Sequence, residues 1–148
     1  KVYIKEGDRS LVDPGEFWCE WFEGDQYSVE YEKYGNEWKQ TFCYKADRDE
    51  KNLIQFKRWS RCEKMFSLSK SFDELLDVHN INVEFIENRP IEVHLRPNPN
   101  PLLDEIIPVW KGQEELVDIY EKLCYKFIED YNDADGYLNN PRIGFLTK

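Results

Sequence analysis

Glu84, Glu92, His94 and Arg96 stand close together in the stretch Ile81 to Pro101, INVEFIENRPIEVHLRPNPNP, and their types are those that bind metals and phosphates. Two runs rich in Ile, Val and Phe flank Glu87-Asn88-Arg89-Pro90, a polar set with a proline suited to a turn. The stretch therefore reads as a β-hairpin. Side chains alternate faces along a strand, so Glu84 and Glu92 are expected side by side on paired strands, with Val83, Phe85, Ile91 and Val93 on the other face. Two carboxylates facing one way repel each other unless a cation lies between them, and a divalent metal would serve. The same pair can also be read as a solvated surface, with Arg96 as a partner for either carboxylate.

The elements that must position these groups lie upstream. Val2-Tyr3-Ile4-Lys5 reads as a short strand, followed by turns at Gly7-Asp8 and Pro14-Gly15. Phe17 to Phe22, Gln26 to Tyr34 and Glu37 to Tyr44 are aromatic and β-branched, and Gly24-Asp25 and Gly35-Asn36 separate them as turns. An antiparallel meander follows from that pattern. Asp47 to Lys51 reads as a charged loop, and NLIQFKRW as the next strand. Ser71-Phe72-Asp73-Glu74 fits a capping box opening a short helix that delivers the chain to Ile81. Pro97-Asn98-Pro99-Asn100-Pro101 can be neither helix nor interior strand, since proline lacks the N–H. From Gln113 to Tyr131, Leu116, Ile119, Tyr120, Leu123, Phe127 and Ile128 recur at threes and fours with acidic residues between them, which predicts a long amphipathic helix. The tail through Phe145 reads as irregular. The expected fold class is thus α+β, an antiparallel sheet with one long C-terminal helix and a short one, in a single domain over 1–148.

Two of these segments resemble the ATP-grasp superfamily. VEFI, a tight connection and IEVHLR are similar to the end of an ATP-grasp domain, where an acidic strand precedes a strand reading Glu-x-Asn-x-Arg. The resemblance implies that Glu84 and Glu92 hold magnesium on ATP and that Arg96 neutralises phosphate or acyl-phosphate charge. His94 stands where the family has Asn, and magnesium prefers oxygen ligands. Either Asn98 supplies a ligand from the following loop, or the site is altered, or it is inactive. Upstream, FWCEWFEGDQYSVE is similar to the family's adenine linker. This implies that backbone around Cys19, Glu20, Trp21 and Phe22 meets the adenine edge, with Gln26 at the position of a ribose-binding Glu. Lys57, Arg58 and Arg61 form the densest basic cluster; in a nucleotide site they would face phosphates, and otherwise they offset the acidic loop before them.

The resemblance spans 17–101 and implies the C-terminal lobe of an ATP-dependent carboxylate-amine ligase, working through an acyl phosphate on an unknown carboxylate. The family's upstream lobe, with its Gly-rich loop, is not recognisable in this chain, so an upstream lobe or partner chain is expected to complete the site and turnover by this chain alone is expected to be weak.

Composition bounds the alternatives. The chain has 148 residues, 16% of them aromatic, enough for one core. A formal charge of -10 and a pI near 4.7 argue against nucleic acid and anionic membrane surfaces as partners. No apolar run has the length of a membrane span and no signal peptide opens the chain, so an intracellular, cytoplasmic protein is expected. The chain begins at Lys1, as a processed product or a piece of something longer would. Cys19, Cys43, Cys62 and Cys124 lack the short spacing of zinc sites or redox pairs and read as buried free thiols in preference to disulfides. From another functional class, an acidic binding or inhibitor protein engaging a basic partner also explains the charge.

Overall fold

The computed structural model describes residues 22–49, 52–132 and 141–148. Eight strands follow in the chain: β1 (Gln26–Tyr34), β2 (Glu37–Asp49), β3 (Asn52–Arg61), β4 (Asn80–Ile86), β5 (Arg89–His94), β6 (Glu105–Trp110), β7 (Lys126–Asn132) and β8 (Arg142–Thr147). They form one sheet in the order β5-β4-β1-β2-β3-β6-β8-β7, antiparallel throughout. A 3-10 turn, Lys70–Glu74, and one α-helix, α1 (Glu115–Glu121), complete the described elements.

The alternation in β1 explains how the layers form. Tyr27, Val29 and Tyr31 point to the back of the sheet, where Cys43, Ile81, Val83 and Phe85 join them. The connection after β3 folds over this face and seals it with Phe66, Leu68, Phe72, Leu75 and Val78. Each fully buried aliphatic side chain here stabilises the fold by about 1.5–3 kcal/mol. On the front, Phe42, Tyr44, Ala46, Trp59, Ile106 and Phe145 pack together over the middle of the sheet. Across the remaining strands, Ile107, Val109 and Leu146 pack with Val117 and Tyr120 of α1.

The α+β expectation with a long C-terminal helix is overturned: the described residues are mostly antiparallel strand, and among them one α-helix, of seven residues, is present. The predicted helix from Gln113 to Tyr131 breaks at Cys124, whose backbone takes a left-handed φ of 64°, and the chain then runs extended as β7. Past Cys124 the helical spacing is coincidental. Ile119, Leu123 and Ile128, which should have lined a buried stripe, are exposed. What decides the outcome is pairing: Phe127 and Ile128 oppose Leu146 and Phe145 of β8, so the tail that reads as irregular is an interior strand giving β7 its hydrogen bonds. Tertiary pairing overrides local period here. The helix whose acidic face an inhibitor reading uses is accordingly shortened to seven residues, with Glu115, Asp118 and Glu121 as its acidic members.

Smaller corrections follow the same logic. β2 continues to Asp49, so much of the expected charged loop is strand. The 3-10 turn is capped by Ser69, whose side chain accepts from the Ser71 N–H, in place of the Ser71 capping box. The β4–β5 hairpin is present. Its turn is tighter than read: Glu87 sits at a φ of 53° and Pro90 already belongs to β5, at the sheet edge, where a missing N–H is tolerated.

Candidate metal centre at the rim of the sheet

The β4–β5 register sets Glu84 directly opposite Glu92, and Asn82 opposite His94. Both pairs face the front. Ligand-capable atoms of Glu84, Glu92 and His94 all lie within 4.8 Å of one another, with His94 Nε2 3.4 Å from Glu92 Oε1. Glu84 is the inner member: Gln26 on β1 donates from Nε2 to its Oε2 at 2.7 Å. Arg48 on β2 in turn donates to Gln26 Oε1 at 3.0 Å. The amide therefore relays a fixed orientation from β2 to β4, with its donor end toward the carboxylate.

Burial, and after it the neighbouring Glu92 charge, pushes the Glu84 carboxyl up to about 7, against the opposing hydrogen bond from Gln26. A cation between the two carboxylates would remove the repulsion, and binding it would release whatever proton Glu84 carries. Two carboxylates and one imidazole suit manganese or zinc better than magnesium, which favours oxygen donors alone. The residues present thus fit a divalent cation, with His94 tilting the choice away from magnesium.

A second polar layer adjoins these three residues. Ser28 and Glu30 of β1 and Asn82 of β4 are buried. Asn82 Nδ2 donates to Glu30 Oε1 at 2.6 Å and sits 2.8 Å from Ser28 Oγ. The Pro97-to-Pro101 loop folds back over them: the Asn98 N–H reaches the Glu30 carboxylate at 3.2 Å, and Asn98 Nδ2 reaches Ser28 Oγ at 3.3 Å. Tyr44 fixes the loop's far end by accepting from the Leu103 N–H at 2.8 Å. Burial raises the Glu30 carboxyl above its ordinary range, while the Asn98 and Asn82 donors and the Arg96 charge pull it back.

The residues named from the sequence therefore separate into three sets. Glu84, Glu92, His94 and Gln26 come together, although Gln26 holds Glu84 and Arg48 where a ribose contact was expected. Asn98 is committed to Glu30, Ser28 and the Asn100 N–H. Arg96 is exposed, bonds the Pro97 carbonyl and lies near enough to Glu30 to act on it.

Lys57 and Arg58 do not join the site. They lie on β3, three strands from β4, a distance of about 14 Å at ordinary strand spacing. Arg58 points to the back, where it pairs with Glu105 at 3.1 Å. Phe22 packs its ring under the Arg89 guanidinium, 4.7 Å away, and Glu20 and Trp21 lie outside the described residues.

Ser28, Glu30, Asn82 and Arg48 were not singled out in the sequence: Ser28 and Glu30 only alternate with Tyr27, Val29 and Tyr31, and Arg48 falls in the stretch expected as a charged loop. Nothing in that alternation announces the loop that covers them. No protein-family model, curated protein or solved structure matches the chain. Among the described residues, no helix is long and apolar enough to cross a membrane.

Proposed function

We propose that the chain is the cation-carrying part of an ATP-dependent ligase-type site, in which a carboxylate is activated by phosphate and passed to an amine or similar nucleophile. The observation that carries this reading is the meeting of Glu84, Glu92 and His94 at the rim of the sheet, in the sequence context, VEFI followed by IEVHLR, that resembles ATP-grasp enzymes. A divalent cation bound there would neutralise charge on nucleotide phosphates. The chain's own part is positional: Gln26 and Arg48 hold Glu84 in place, and β5 presents Glu92 and His94 beside it. Arg96, exposed beyond His94 on the same strand direction, adds a positive charge for an anionic ligand to meet. Gln26 is occupied and Lys57 and Arg58 lie elsewhere, so the sugar contact and the further phosphate contacts are expected from an upstream lobe or a partner chain.

Calorimetric and thermal-shift titrations with Mn2+, Zn2+ and Mg2+, each with and without ATP, test the reading. Manganese is expected to raise the Tm, ATP to add to that rise, and Glu92→Gln to abolish both, because a ligand stabilises only the state that binds it. His94→Asn is expected to move the preference toward magnesium. Silence toward all three cations would remove the metal centre. Cation binding indifferent to ATP would leave a metal centre and remove the nucleotide.

A further inference from the structure

Cys43 and Cys62 are 19 residues apart, a spacing with no meaning as a motif, yet the two sulfurs sit 3.1 Å from each other. The cause is strand pairing. Tyr44 opposes Arg61 across β2 and β3, and one step further along the same register Cys62 donates its N–H to the Cys43 carbonyl at 2.9 Å. Opposed residues of an antiparallel pair have Cα atoms about 4.5–5.5 Å apart, inside the span of roughly 4.4–6.8 Å that a disulfide bridges. Both thiols are free. Cys43 is buried at 2% exposure in the back core, whereas Cys62, just past the end of β3, is half-buried and open to small reagents.

We propose that Cys43 and Cys62 are a redox-responsive dithiol that closes to a cross-strand disulfide when it meets a small-molecule disulfide of the glutathione type. The Cys62 thiolate attacks one sulfur of the reagent, forming a mixed disulfide and releasing one thiolate. Cys43 then loses its proton to solvent, its sulfur displaces the second reagent thiolate from Cys62, and the intramolecular bond is complete. Two protein thiols lose two electrons and two protons, and one reagent disulfide becomes two thiols. The order follows from access and acidity: burial, and next the hydrogen bond with Cys62, push the Cys43 thiol up, so it is the poorer first nucleophile. Once Cys62 carries the reagent, proximity makes Cys43 the resolving thiol. The bond would tie β2 to β3 at the end where the covering connection leaves the sheet.

The test uses the full chain, reduced and then incubated with oxidised glutathione, blocked with a maleimide and mapped by mass spectrometry. A Cys43–Cys62 bridged peptide is expected in the wild type and equally in Cys124→Ser, which removes the exposed thiol among the described cysteines. Bridging should raise the Tm on the order of 5 °C, reversibly with dithiothreitol. Cys43→Ala should retain one glutathione on Cys62, and Cys62→Ser should leave Cys43 unmodified. Persistent glutathione on wild-type Cys62, a bridge from either residue to another cysteine, or maleimide on both after oxidation would overturn the proposal. Modification of Cys43 in Cys62→Ser would overturn the order of steps. The wild-type map decides the matter even if the Cys43→Ala chain does not fold.

Discussion

The front of the sheet carries two unlike halves. Over β2, β3, β6 and β8 it holds Phe42, Tyr44, Trp59, Ile106 and Phe145, with aromatic rings in contact. Over β1, β4 and β5 it holds Gln26, Ser28, Glu30, Asn82, Glu84, Glu92 and His94. Both halves are built by the same alternation on adjoining strands. The apolar half gains stability simply from area removed from water, whereas the buried polar half stands only because each group finds a partner and so depends on geometry. That dependence is what leaves room for chemistry: Gln26, Ser28, Glu30 and Asn82 are already buried and aimed, and Glu92 at the rim stays open to solvent.

Perturbing each half in turn should separate these two modes of support. The largest effect is expected from Trp59→Ala in the apolar half, a loss of about 3–5 kcal/mol in denaturant unfolding, since truncating a buried aromatic leaves a cavity. Asn82→Ala in the polar half should cost about 2 kcal/mol, because it removes the donor that Glu30 and Ser28 share inside the protein. A cost as large as that of Trp59→Ala would show that the polar half is held by packing.

Glu84→Gln should act in the opposite direction. In the metal-free chain the folded carboxyl titrates near 7, against an ordinary value of 4.5. Between these values the folded state binds the extra proton, so wild-type stability falls as pH rises from about 4.5 to about 7. The substitution should therefore be close to neutral at pH 4 and stabilising by about 3 kcal/mol at pH 8. Equal stability changes at both pH values would mean that Glu84 does not titrate in that window. Smallest of all, Glu92→Gln should leave the metal-free fold nearly unchanged and lower the Glu84 pKa, read by carboxyl NMR titration, because one of its two raising influences is gone.

The hairpin at the rim was legible because strand period, a polar turn and a proline agreed, and its register followed: Glu84 faces Glu92 as expected. Of the expected meander, β1 and β2 were legible from strand period and the glycine turn at Gly35-Asn36, whereas its first strand, Phe17 to Phe22, lies outside the described residues but for Phe22. Other features depend on contacts distant in sequence. The segment around Phe127 has both helical spacing and strand residues, and only a partner strand beginning at Arg142 decides between them. Lys57 and Arg58 are dense in sequence yet neighbouring residues on a strand point to opposite faces, so a basic run does not make a basic patch. Asn98 was expected to reach a metal; a buried glutamate far upstream at Glu30 captures its backbone first.

The place of β5 at the end of the strand order has a consequence for motion. An edge strand is hydrogen-bonded on one side only, so its amides belong to the fraction of the molecule that opens most often without global unfolding. Two of the three ligand candidates ride on that strand, and the third sits on its inner neighbour. A cation joining them would have to hold the two strands together to stay bound. In native-state hydrogen exchange, manganese should then slow the amides of β5 far more than those of β2 or β3, and its dissociation rate should track the opening of the strand.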